Sequence, residues 1–241
     1  MGSDTNQQNG AGLFGAAIRD SVIVVLSILL AFWIDAWWEG RSIAARELEL
    51  LVTLAGELDA AAVDIAEFQG HHELVAASAT RLIALAEQEQ GSAEEADSLL
   101  GVIINGRRYR PSDVSLGSVL GGDGLATLSD PVLRRRLGAW RQMTANLVSV
   151  SEVVSDQLNT DLNTYINMRV PYRTLDRAAG TVSGLDPSRF PTNILALFGD
   201  VEFENHVYNR SYLASIAASE STALLAATKD LAEEVRRHLA K

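Results

Sequence analysis

Residues 51–82 read LVTLAGELDAAAVDIAEFQGHHELVAASATRL, and their apolar side chains recur every three or four residues. Leu51, Leu54, Leu58, Ala61, Ile65, Phe68, His72, Val75, Ala79 and Leu82 share this seam, and nine of the ten are apolar. Residues three and four apart lie on one face of a helix. The spacing therefore predicts a long helix packed at a shallow angle in a bundle or coiled coil. No proline precedes Pro111, and Gly40 and Gly56 are the only glycines between residues 16 and 69.

Similar stripes follow. Asp130-Pro131 is an N-cap with proline in the first turn. It opens a helix to about Arg169 that carries Leu133, Leu137, Trp140, Thr144, Leu147, Ser151, Val154, Leu158 and Tyr165. A last helix over about 200–240 carries Phe203, Val207, Leu213, Ile216, Leu224, Leu231 and Val235. Between the long helices, Ser92 and Glu95 form a capping-box signature for a short helix to about Asn105. Gly106–Pro111 reads as a loop, and Ser112 caps a further short helix that ends at Gly121–Gly124. Residues 171–192 hold three of the five prolines and form the longest irregular segment. With no strand-like alternation of any length, the fold class is all-α.

Upstream of the seam, Ser21–Ile34 (SVIVVLSILLAFWI) contains no charge. Extended from Ala17 to Trp38, the segment would be roughly 33 Å long as a helix, about one hydrocarbon core. Trp33, Trp37 and Trp38 cluster at one end as an aromatic belt, and Arg19 can snorkel from the other. A buried core helix would show polar periodicity. A cleaved signal would have a basic start and a small-residue cleavage site, and an amphipathic surface helix would have a polar face. The segment has none of these and reads as an uncleaved anchor. The expected organisation is a flexible tail over 1–12, a transmembrane anchor over 13–40 and an α-helical extramembrane domain over 41–241. Within the anchor, Ser27, Ala31 and Asp35 share one face, and small or polar residues there suit helix–helix contact in lipid.

Composition narrows the function. The 241 residues carry a net charge of −11, which argues against nucleic-acid binding. The absence of cysteine removes disulfides, thiol catalysis and Cys-ligated metals. Residues 44–90 hold nine acids and two bases, net −7, whereas 131–169 hold five arginines and three acids, net +2. Packing the first helix against the second would relieve its self-repulsion.

The stretch Ile28–Arg41 (ILLAFWIDAWWEGR) resembles the anchor end of a group of uncharacterised bacterial single-span membrane proteins, with their Ile-(Asp/Asn)-x-Trp-(Trp/Asn)-Glu pattern. Residues 118–134 are similar to that group's second signature, Leu-x-x-(Leu/Ile)-x-Asp-x-x-Leu-Arg. The resemblance covers the anchor, the middle and, loosely, the last helix; it does not reach 171–199. It implies an inner-membrane anchor and an α-helical domain on the periplasmic side, and it implies no reaction.

Chemistry is sparse. His71, His72, His206 and His238 show no metal-binding spacing, and His72 sits on the seam as a partly buried, hydrogen-bonded residue. No nucleophile elbow or phosphate loop occurs. Arg107, Arg108 and Arg110 around Tyr109 form a basic loop cluster that either pairs internally or binds a phosphate or anionic lipid. Arg134, Arg135 and Arg136 diverge by about 100° each on a helix and form no single patch. The expectation is a non-enzymatic, cofactor-free structural or interaction protein, tethered to the bilayer. Its partner would be a second copy or a membrane protein in a respiratory, photosynthetic or transport assembly. The alternative is a membrane-tethered small-molecule sensor; the short stretch before the anchor, without an output domain, lowers it.

Overall fold

A computed structural model describes residues 8–88, 91–111, 124–184, 186 and 188–240, with side chains from residue 25 onward. Among these residues the chain is all-helical, with no strand. The elements are α1 (Gln8–Gln88), α2 (Ala93–Ile103), a single turn α3 (Gly124–Thr127), α4 (Pro131–Gln157), a π-turn at Leu158–Leu162 and α5 (Asn163–Asn167). They continue with α6 (Tyr172–Ala178), a 3-10 segment at Ile194–Gly199 and α7 (Val201–Leu239). Residues 1–50 form one unit and Leu51–Lys241 a second, compact one.

In the second unit all ten seam residues of α1, from Leu51 to Leu82, are buried. So are all nine stripe residues expected between Leu133 and Tyr165. Helix α7 runs antiparallel to both α1 and α4, as its cross-links show. Asp59 pairs with Arg236, Gln69 Nε2 donates to Thr222 Oγ1 at 3.1 Å, and Thr80 and Ser211 hydroxyls meet at 3.1 Å. On the other side His238 meets Asp130 at 2.9 Å, Arg136 pairs with Glu234, and the Trp140 indole donates to Thr228 Oγ1 at 2.8 Å.

This central position corrects the reading of α7. Leu213 and Ile216 are only partly buried, and the core positions are Ala214, Ala217, Ser221 and Thr228 together with Leu224, Leu231 and Val235. A helix flanked by two others packs closely through small side chains. Ser221 and Thr228 hide their hydroxyls by donating to the carbonyls of Ala217 and Leu224 at 2.6 and 2.7 Å. Of the α1 acids, Asp59 is met by Arg236 on α7 and Glu67 by Arg107 in the loop after α2.

The caps expected at Ser92 and Asp130 form, and Asp200 supplies a further one at the start of α7. Ser92 Oγ accepts from the Glu95 amide at 3.1 Å, although the Glu95 carboxylate turns to Arg81. Asp130 accepts from the Val132 and Leu133 amides, and Asp200 from Glu202. Two boundaries differ from expectation. The helix opened by Pro131 is α-helical only to Gln157, and the widened π-turn then shifts the register into α5. The proline-rich stretch 171–192 contains α6, which covers α2: a Cβ on Gly101 would overlap the Leu175 carbonyl and come within 2.7 Å of Ala179 Cβ.

Helix α1 begins at Gln8, so residues 8–12, expected in the flexible tail, are helical. Residues 1–7, the helix expected after Ser112 and the glycines at 121–123 lie outside the described residues, as does the Arg19 side chain. Among the described residues no helix is long and apolar enough to cross a membrane. The apolar side chains described on α1 start at Val25, and Ser21–Val24 precede them in sequence.

Candidate functional site

Two regions carry the sequence-derived sites, one in each unit. On α1, Val25, Leu26, Ile28, Leu29, Leu30, Phe32, Trp33, Ile34, Trp37 and Trp38 are each between 49% and 69% exposed. Successive helical residues turn by about 100°, so these ten side chains ring the helix. Ser27, Ala31 and Asp35, on one narrow face of the same girdle, are also exposed. The three tryptophans close its C-terminal end. Trp37 and Trp38 lie with ring centroids 6.4 Å apart, and the Arg41 guanidinium stands 5.5 Å over the Trp37 ring.

In the second unit the loop after α2 is pinned by Tyr109. Its ring is buried against Phe68, its amide donates to Ser151 Oγ at 2.8 Å, and burial followed by the Asp64 charge pushes its phenol up to about 12. Arg108 and Arg110 emerge on either side. Arg107 pairs with Glu67 of α1, and Arg108 Nε donates to Ser155 Oγ of α4 at 2.7 Å. All three arginines line one open cleft of about 500 Å³ with Ser155, Asn159 and Asn163. The structure thus brings the basic loop residues together, and onto the π-turn. A Cβ on Gly106 would lie 2.7 Å from Leu158, so the loop sits directly on that turn. Arg134, Arg135 and Arg136 are not brought together: Arg134 donates to the Leu128 carbonyl at 3.0 Å, Arg136 pairs with Glu234, and Arg135 is exposed.

Elsewhere in this unit a buried arginine that the expected stripes do not include lies beside His71 and His72. Arg210 is fully buried and donates from Nε to the Ile103 carbonyl (2.9 Å) and from Nη2 to that of Asn105 (2.8 Å). These are carbonyls at the C-terminus of α2, the negative end of its dipole. Burial lowers the guanidinium pKa to about 10, and Nη1 has no partner. The 3-4 spacing Phe203, Val207, Arg210, Ala214 marks the position in the sequence. His72 is fully buried rather than partly buried, with its ring 4.3 Å from Phe68 and Nε2 3.4 Å from the Arg107 carbonyl. Burial, then His71 and Arg210, hold its pKa down to about 3. His71 is lowered as well, by burial first and then by Arg210 and Arg107. Both imidazoles are neutral at pH 7. Among the described residues no group of three His, Asp or Glu side chains is placed to hold a metal.

A second open cleft, of about 590 Å³, lies between Asp97 and Arg177. Burial raises the Asp97 carboxyl pKa, and one of its oxygens is unpartnered. No family model, no curated protein and no solved structure matches the chain. The functional reading therefore rests on the chain's own geometry.

Proposed function

We propose that the protein is a membrane-anchored helical structural or interaction protein, an accessory or scaffold subunit whose partner is a second copy or another membrane protein. The observation that carries this reading is the ring of ten large apolar side chains between Val25 and Trp38. Left in water, they would forgo on the order of 10 kcal/mol of transfer free energy. In sequence, Ser21–Trp38 is an 18-residue stretch with one ionisable group, Asp35, and it ends in the tryptophan belt. An inner-membrane location with residues 41–241 on the periplasmic side is what the resemblance read in Ile28–Arg41 implies, and it stands as part of this proposal.

Alkaline carbonate washing tests the anchor: the intact chain stays in the membrane pellet, and recovery in the supernatant contradicts the reading. The cysteine-free sequence makes orientation measurable, since single cysteines at Ser3 and Ser92 should label from opposite sides. For the interaction role, the face of Ser27, Ala31 and Asp35 is the contact surface. Ala31→Leu should weaken crosslinking to the partner and Val25→Leu should not; equal crosslinking in both leaves α1 as a passive tether.

A further inference from the structure

We propose that the cleft formed by the 104–111 loop and the π-turn binds a phosphate group, with Arg108 and Arg110 as its cationic ligands. Four observations converge on it. Burying Tyr109 makes Arg108 and Arg110 emerge together, so one short stretch supplies two guanidinium forks to one cleft. No acid offsets their charge among the described residues. Glu67 answers Arg107, whereas among the described residues neither Arg108 nor Arg110 has an ion pair, and no acid lines the cleft.

Neutral donors surround the same space. Ser155 Oγ accepts from Arg108 Nε at 2.7 Å and from Asn159 Nδ2 at 3.3 Å, which leaves its own O–H to donate. Asn163 Oδ1 is buried without a partner, and rotating that amide presents its NH2 group instead. The wall itself is the π-turn, in which the Asn163 amide donates to the Leu158 carbonyl five residues back. Such widened turns interrupt the α register and recur at functional sites.

The chemistry selects the ligand class. Guanidinium forks match phosphate oxygens in pairs, and two cations with no ion pair among the described residues match a doubly charged group better than a single carboxylate. A cleft of about 500 Å³ admits a small phosphorylated molecule or one lipid headgroup. Both sources present the same phosphate chemistry. This assignment stands apart from the membrane reading and would hold if that reading failed.

The test uses the full chain in a neutral maltoside detergent, with inorganic pyrophosphate as the titrant in calorimetry. A soluble ligand predicts one saturable site that weakens about tenfold in Arg110→Gln and in Arg108→Gln. Arg135→Gln, exposed on α4, should bind as the parent does. Arg110→Gln breaks no contact among the described residues, so its thermal melting should match the parent and separate lost binding from lost folding. In the second arm, phosphatidylcholine nanodiscs are doped with phosphatidic acid, whose terminal phosphate supplies the same doubly charged chemistry in a lipid headgroup. Arg110-dependent crosslinking to that lipid without pyrophosphate binding assigns the site to a headgroup. Absence of binding in both arms, or binding that Arg108→Gln and Arg110→Gln leave unchanged, overturns the proposal.

Discussion

Leu29 and Leu58 stand on the same helix and meet opposite fates. Leu29 is 58% exposed, while Leu58 is completely buried. Both belong to apolar stretches, so hydrophobicity does not distinguish them. Periodicity does. Around Leu58 the apolar residues recur at three and four, and acids such as Glu57, Asp59 and Asp64 occupy the other faces. Around Leu29 large apolar side chains ring the helix, interrupted only by the narrow face of Ser27, Ala31 and Asp35, and no single protein surface could cover them. A striped helix asks for a partner on one side, whereas one ringed by apolar side chains asks for a solvent.

Deleting residues 13–38 breaks the comparison most completely. The remaining chain should move from the membrane pellet to the soluble fraction and keep its helical circular dichroism, because the second unit has its own core. Loss of helix content in that variant would show that the girdle is needed for folding. On the soluble bundle, Leu58→Ala should cost about 3 kcal/mol in urea unfolding, as large-to-small changes at fully packed sites do. Leu29→Ala in the full chain should leave the bundle's unfolding midpoint where it was.

Acid sharpens the account of the buried histidines. The unfolded chain takes up a proton on His72 near pH 6.5, but the folded chain resists it until about pH 3. A lowered histidine pKa means stability is fully present above 6.5 and falls as pH drops below it. The slope is about 1.4 kcal/mol per pH unit for this residue. His71 adds to it, while Asp130 and Asp200, whose pKa values are lowered from 3.8, act at lower pH. His72→Leu should flatten the pH 6.5–4.5 limb of the unfolding curve. A smaller loss, about 2 kcal/mol, is expected for Gly101→Ala, which drives a methyl into the α6 backbone. An unchanged midpoint there would mean that α6 moves aside freely.

Much of the bundle was legible because its signals are local. The seams of α1 and α4, the caps at Ser92 and Asp130 and the start of α7 follow from spacing and cap chemistry within a few residues. What escaped depends on tertiary geometry. The core face of α7 is set by two neighbours at once, which favours Ala217 and Ser221 over Leu213. The π-turn at Leu158 leaves no composition signal, since Leu158 and Tyr165 continue the stripe across it. Arg210 has no local signal for burial, because the carbonyls of Ile103 and Asn105 that receive it lie more than a hundred residues away in sequence. The basic loop is visible as a cluster, but the pairing of Arg107 with Glu67 and the turning of Arg108 and Arg110 into a cleft depend on where Tyr109 is buried.

The most direct measurement of the central claim is lipid exposure at Leu29. A nitroxide attached through Leu29→Cys, in a chain with no other cysteine, should collide readily with oxygen and rarely with a water-soluble nickel chelate in reconstituted bilayers. The same label at Glu49, beyond the tryptophans, should show the reverse order. Nickel accessibility at Leu29 equal to that at Glu49 would place the girdle in water and contradict the account.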